Sequence, residues 1–234
     1  MTQSEKYNGI EELELLDSAH NYTNSITTRI NSFFSKDLLT LDFGAGAGTY
    51  AKKLKSQDYK ITCIEIDPTL IGVLKNHDLD VSKSTADFES GSVHQIYSIN
   101  VLEHIEDDLG ILKEFHRMLT SSGKIYLYLP AFPVLYSKFD KKIGHYRRYK
   151  KKDLVQKLTE AGFQIEQRSY RDSIGFFVAY LFKIISNSED VSKTAITIYD
   201  KIVFPFSRLL DPLLGAYFGK NIEVMATKKN EQIS

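Results

Sequence analysis

Short apolar runs and amphipathic runs take turns along this chain. "LLTLDF" (38–43), "YKITCIEID" (59–67), "SVHQIYSIN" (92–100) and "GKIYLYLP" (123–130) read as buried strands, with "DLDVSKS" as a shorter one after the second. "FQIEQRSYR" and "IEVMATKK" (222–229) supply a sixth and a seventh. "TYAKKLKS" opens a helix. "PTLIGVLKNH" is helical, with Pro68 in the first turn, where its missing N–H costs little. "EDDLGILKEFHRML" (106–119) places Leu109, Leu112, Phe115 and Leu119 on one face, and its leading acids suit a helix N-terminus. "KKDLVQKLTEAGF" is amphipathic and closes at Gly162. Apolar strands alternating with helices predict an α/β fold, a mostly parallel sheet covered on both faces. The interval 172–221 breaks the rhythm. It is rich in Phe, Tyr, Ile and Leu and far longer than a hairpin needs, so it is expected to be a helical insertion before the last strand.

Composition narrows the function. The chain has 234 residues and no formal net charge, which argues against a general nucleic-acid binder. The one cysteine, Cys63, lies in an apolar run and reads as a core thiol. The N-terminal "MTQSEKYNGIEELELLDSAH" has no apolar h-region, and "IGFFVAYLF" (174–182) falls well short of the ~20 residues of a spanning helix. The expectation is a soluble, cytoplasmic protein. No Cys/His metal cluster and no carboxylate set for magnesium is visible, so no metal is expected.

Candidate chemistry begins at "GAGAG". Gly44, Gly46 and Gly48 follow the first strand, where backbone must approach a ligand closely. Glu65 ends the second strand, and a carboxylate there can take both hydroxyls of a ribose; Asp67 is the weaker candidate. The spacing departs from the dinucleotide fingerprint, since Thr49 stands where the third glycine would be needed.

"LDFGAGAGTYAKKL", "CIEIDPTL", "ADFES" and "INVLEHIEDDLGILKEFHRMLTSSGKIYLYLP" together resemble, in order, the motifs of class I S-adenosylmethionine-dependent methyltransferases. The resemblance implies a Rossmann-like sheet of seven strands, the last antiparallel, with S-adenosylmethionine as cofactor and S-adenosylhomocysteine as product. It implies that Gly44, Ala45, Gly46 and Gly48 lie against the methionine part, with Asp42 supporting the loop. Glu65 and Ile66 would meet the ribose side, Asp87 and Phe88 the adenine, and Asn100 and Leu102 the sulfonium. "SAHNYTNSI" resembles the segment that closes over the cofactor in many such enzymes, and Tyr22 is the candidate aromatic. The implied organisation is an N-terminal helical segment (1–37), a core (38–171 and 222–229) and the insertion (172–221), which would serve as a lid, a dimer surface or a membrane-facing surface.

Methyl transfer from a sulfonium is an in-line displacement, so the protein mainly aligns the partners. A hydroxyl acceptor needs a base, for which His104 and His145 are the candidates; a carboxylate needs none. The segment "KKIGHYRRYKKKDL" concentrates positive charge after the fifth strand, on the cofactor's edge of the sheet. Arg147 and Arg148 suit a carboxylate or phosphate, and Tyr146 and Tyr149 could wall a pocket. "GHYRRY" resembles a subgroup of bacterial methyltransferases that tailor peptides and other metabolites or are encoded beside sugar-transferring enzymes; Lys150 departs from the small hydroxyl residue expected there. The sequence favours O-methylation of a carboxylate on a peptide or small anionic metabolite, with no nucleic-acid partner. The rivals are a hydroxyl on a glycan or lipid-linked acceptor, and a non-catalytic cofactor-binding protein.

Overall fold

A computed structural model describes residues 17–186, 188 and 192–229. Residues 1–16, which carry most of the stretch read above as lacking an h-region, lie outside the described residues.

In chain order the elements are α1 (His20–Phe33), β1 (Thr40–Phe43), α2 (Thr49–Lys55), β2 (Ile61–Ile64), α3 (Pro68–Asn76), β3 (Asp80–Ser82), β4 (Val93–Ile99), α4 (Asp108–Met118), β5 (Leu119–Pro130), α5 (Lys138–Lys142), α6 (Lys151–Glu160), β6 (Phe163–Arg171), α7 (Ser173–Ile185), α8 (Lys193–Ile198), α9 (Phe204–Leu214) and β7 (Asn221–Lys228). The seven strands form one sheet in the order β3-β2-β1-β4-β5-β7-β6. β7 runs antiparallel to both β5 and β6, and the other pairs are parallel. The expected Rossmann-like sheet is what forms. Strand order reverses between β1 and β4, so the loops leaving these two strands face a crevice suited to a ligand.

Both faces of the sheet are buried, as alternation along β5 shows. Ile125, Leu127 and Leu129 enter the core with Leu112 and Phe115 of α4 and Leu154 and Leu158 of α6. Tyr126 and Tyr128 enter the opposite core with Ile26 and Ile30 of α1 and Leu54 of α2. Cys63 is buried there, and burial pushes its thiol pKa up, away from reactivity. The strand at 123–130 starts earlier than its pattern suggested: Leu119 pairs with Val93. It therefore belongs to β5 rather than to the face of α4.

α1 lacks a cap of its own, because Ala19 precedes it. Asp200 fills the role from the insertion. Its carboxylate accepts from the backbone N–H of Asn21 (3.0 Å) and Tyr22 (2.8 Å). Asp200→Ala is expected to cost about 1–2 kcal/mol, lowering the melting temperature by roughly 3–6 °C. Hydrogen exchange should speed up first at the Asn21 and Tyr22 amides; unchanged exchange there would oppose this account.

The insertion packs through Phe204 and leaves an apolar face outside, including Phe177, Leu181 and Ile184 of α7 and Leu209 and Leu213 of α9. Among the described residues, no helix is long and apolar enough to cross a membrane.

Candidate cofactor and acceptor site

The turn after β1 is built by left-handed glycines. Gly44 has φ +75°, and a Cβ there would lie 2.5 Å from Val101 Cγ2. Gly48 has φ +78°, and its Cβ would lie 2.8 Å from Leu74 Cδ2. A side chain at either position meets both strain and a packed neighbour. Glu65 Oε2 accepts from the Gly46 N–H at 2.8 Å, and Oε1 accepts from Ile66 (2.8 Å) and Asp67 (2.9 Å). Asp67 itself caps α3 through the N–H groups of Thr69 and Leu70.

These residues fit the implied cofactor. Asp42 is buried at the end of β1, and its Oδ2 has no hydrogen-bond partner. The Tyr50 hydroxyl is likewise buried and unpartnered, and the buried Tyr97 hydroxyl lies toward Asp42. Burial pushes the Asp42 carboxyl up to about 7, and the nearby Glu65 charge adds to this. An ammonium seated in the glycine turn would supply the missing partner and favour the carboxylate. Glu65 has already spent three acceptor positions on backbone, so about one of a carboxylate's four remains for a ribose hydroxyl unless Gly46 is released. That narrows the expectation that Glu65 takes both hydroxyls.

Asp42 also carries a pH signature. An unfolded aspartate titrates near 3.9, so from there to about 7 only the folded protein keeps the proton. Wild-type stability should therefore carry a component that falls as pH rises over that interval and levels off above it. Asp42→Asn should abolish it, so urea-unfolding free energies of the two proteins should diverge between about pH 4 and 7. A constant difference would show an ordinary, ionised aspartate.

The other cofactor candidates lie around the same edge. Asp87 ends a tight turn at Thr85–Asp87, is exposed, and accepts from Ser82 Oγ at 2.5 Å. Phe88 packs half-buried on the core. Arg117 was missed by sequence reasoning: it donates to the carbonyls of Thr85 (3.0 Å) and Phe88 (2.9 Å) and braces that turn from α4. Ile66 is 80% exposed. Asn100 is left-handed (φ +53°) and Leu102 is buried. Tyr22 is buried edge-on against Tyr128 (5.8 Å) and Phe204 (5.3 Å), beside the Asn100 side chain.

Beyond β4, a turn at Leu102–His104 meets the basic loop. The Tyr146 N–H donates to the Glu103 carbonyl (2.8 Å), and Tyr149 bridges Ala131 at the end of β5. This brings His104 and His145 edge to face at 4.6 Å. Glu103 is 0% exposed and neither of its oxygens has a hydrogen-bond partner. Burial pushes it up to about 8, and burial beside His145 pushes His104 down to about 4. No metal-ligand set was legible in the sequence, yet the fold gathers Glu103, His104 and His145, with one potential ligand atom from each within 4.8 Å of the others.

The basic loop is a clip. Arg148 Nε and His145 Nδ1 both lie 2.8 Å from Asp140 Oδ1. Burial alone would raise the Asp140 carboxyl, but these partners bring it down to about 2. Arg147 pairs with Asp108 (3.0 Å) and donates to the Glu106 carbonyl (2.9 Å). Tyr149 is buried and donates to Asp108 (2.8 Å). Arg148 Nε and the Tyr149 hydroxyl, expected to face an acceptor, are thus engaged by the protein's own carboxylates, and a terminal Arg148 nitrogen lies 3.5 Å from the Ala131 carbonyl oxygen. Tyr146, 57% exposed, is the member that stays at the surface.

Comparison with known proteins agrees with this architecture. Residues 41–127 match the family described as "Methyltransferase domain". The ubiquinone biosynthesis O-methyltransferase of Xanthomonas oryzae pv. oryzae is 28% identical over 97 residues, 37% of this chain and 41% of that protein. The chain thus matches less than half the length of this curated relative. A SAM-dependent methyltransferase of Thermotoga maritima superposes with TM-score 0.65 at 17% identity, covering 94% of this chain and 95% of that one. Phosphoethanolamine N-methyltransferase 2 of Haemonchus contortus, solved with S-adenosyl-L-methionine, gives TM-score 0.59 at 16% identity, covering 90% and 53%. At these identities the structural likeness is one of fold. The chain thus carries a methyltransferase-domain segment at residues 41–127 and shares its fold with S-adenosylmethionine-dependent methyltransferases.

Proposed function

We propose that the chain transfers the methyl group of S-adenosylmethionine to an oxygen atom, and that the acceptor is a hydroxyl. The observation that carries this is the Glu103–His104–His145 group at the end of β4, with Glu103 buried and both histidines half-buried, next to the strand that carries the glycine turn. S-adenosylmethionine supplies a methyl group already activated on a sulfonium. What remains for the chain is to hold the two partners in line and to manage the acceptor's proton. Asp42 and the Gly44–Gly48 turn would hold the amino-acid part, Glu65 a ribose hydroxyl, and Asp87 with Phe88 the adenine. His104, His145 and Glu103 form the polar set that would meet the acceptor oxygen. A carboxylate acceptor loses its main support because Arg148 is occupied by Asp140 and Arg147 by Asp108. The name of the Xanthomonas relative points the same way, toward O-methylation. The exposed apolar face of α7 and α9 would suit an acceptor carried on a lipid.

The test uses methyl-labelled S-adenosylmethionine, the purified protein and extract from its source. Product is partitioned between lipid and aqueous phases, and each phase is treated with mild base. Base-stable label that hydriodic acid releases as methyl iodide supports a methyl ether, and base-stable label that resists it would place the methyl on nitrogen or carbon and overturn the reading. Label released as methanol would overturn the hydroxyl reading in favour of an ester. Cofactor binding without any label transfer into extract would favour a non-catalytic protein.

A further inference from the structure

We infer that Glu103, His104 and His145 bind a first-row divalent cation. Two imidazoles and one carboxylate are a donor set that such cations favour. His145 Nε2 and Glu103 Oε1 lie 3.7 Å apart, too far for a hydrogen bond but a natural separation for two ligands of one ion. Metal–ligand bonds of about 2.0–2.2 Å place ligand atoms ~3–4 Å apart, so the trio closes by shifts of under about 1 Å.

Three further features suit a cation better than a packed core. Glu103 is fully buried, and both its oxygens lack a hydrogen-bond partner. A carboxylate so placed is costly unless it is neutralised or paired. His145 is held from behind: Asp140 takes Nδ1 at 2.8 Å, which leaves Nε2 turned toward Glu103. His104 is hydrogen-bonded to the backbone at Ile143 and Gly144, which fixes its ring. Metal-bound histidines are oriented in this way by a carboxylate or carbonyl on the other ring nitrogen. Arg148, also on Asp140, steadies that outer partner. Three protein ligands leave a coordination position for a further oxygen. The binding stands by itself. Its role rests on the hydroxyl reading above: the cation would take the acceptor oxygen and lower the pKa of its proton.

The experiment uses full-length, untagged protein, stripped with a chelator and without cofactor. Zn²⁺ is titrated calorimetrically, and Co²⁺ is followed through its visible absorption. The expected result is saturable uptake of a single cation with Kd in the micromolar range or below. Glu103→Gln and His145→Gln should each weaken it at least about 100-fold, and Asp140→Asn about 10- to 100-fold. Circular dichroism melts establish that each variant is folded. Failure of wild type to saturate with either ion overturns the proposal, as does undiminished uptake by folded Glu103→Gln and His145→Gln. Since neither cofactor nor acceptor is present, these outcomes are independent of whether methyl transfer is found.

Discussion

Glu65→Ala is expected to weaken S-adenosylhomocysteine binding by roughly 100- to 1000-fold in a calorimetric titration. Glu65 joins two tasks that are usually separate. It fastens the glycine turn through Gly46 and closes the start of α3 through Ile66 and Asp67, and one acceptor position stays available. Alanine would remove the proposed ribose contact and unfasten the turn proposed to hold the rest of the ligand. Hydrogen bonds to a charged group contribute about 1.5–3 kcal/mol each, and two losses near the lower end of that range amount to two or three factors of ten. Glu65→Gln separates the tasks. Its single oxygen can serve either the ribose or the backbone, so a loss of about tenfold is expected. A loss below about fivefold for the alanine variant would place the ribose elsewhere.

The largest effect on stability is expected at Glu223. This side chain is buried in the middle of β7. It accepts from Arg29 of α1 (2.8 Å), Arg171 at the end of β6 (2.7 Å) and the Tyr126 hydroxyl of β5 (3.0 Å). One carboxylate thus ties a helix and two strands to the strand between them. Removing one member of a buried pair costs about 3–5 kcal/mol. Because both arginines reach partly into solvent, about 2–3 kcal/mol is the better expectation for Glu223→Ala. For a chain of this size that lowers the melting temperature by roughly 5–10 °C. Burial alone would raise the Glu223 carboxyl, but the hydrogen bond from Arg29 and the charge of Arg171 hold it below the ordinary value. Its stabilisation is therefore complete above an unfolded glutamate's pKa of about 4.3 and fades as pH falls through the lower folded value. The gap between wild type and variant should narrow in acid. A gap independent of pH would mean that packing, not charge, is what Glu223 supplies.

The strands, the glycine turn and the insertion were legible because each is written in consecutive residues. Apolar runs at 61–64, 93–99 and 125–129 have only one stable use in a sheet covered on both faces. The acceptor edge was legible in position but not in use. "GHYRRY" looked like a set of hands reaching for an anion. Its anions are the protein's own: Asp140 precedes Arg148 by 8 positions, and Asp108 precedes Arg147 by 39. A surplus of positive charge in one segment says nothing about which carboxylate, internal or external, will neutralise it. The same limit hid the trio at Glu103, His104 and His145. "EH" is a common adjacency, and only the docking of the 144–149 loop on the Leu102–His104 turn adds the third member.

The hold of Asp200 on α1 has a consequence for biosynthesis. The helix that carries Tyr22 is made before every strand of the sheet, but the carboxylate that caps it follows six of the seven. β7, which must slot between β5 and β6, comes later still. A nascent chain therefore holds α1 without its cap until Asp200 is made, and β5 and β6 without the strand that separates them until β7 is made. A helix made before the sheet is thus secured only after most of the sheet, and its apolar face stays open to wrong partners during that interval.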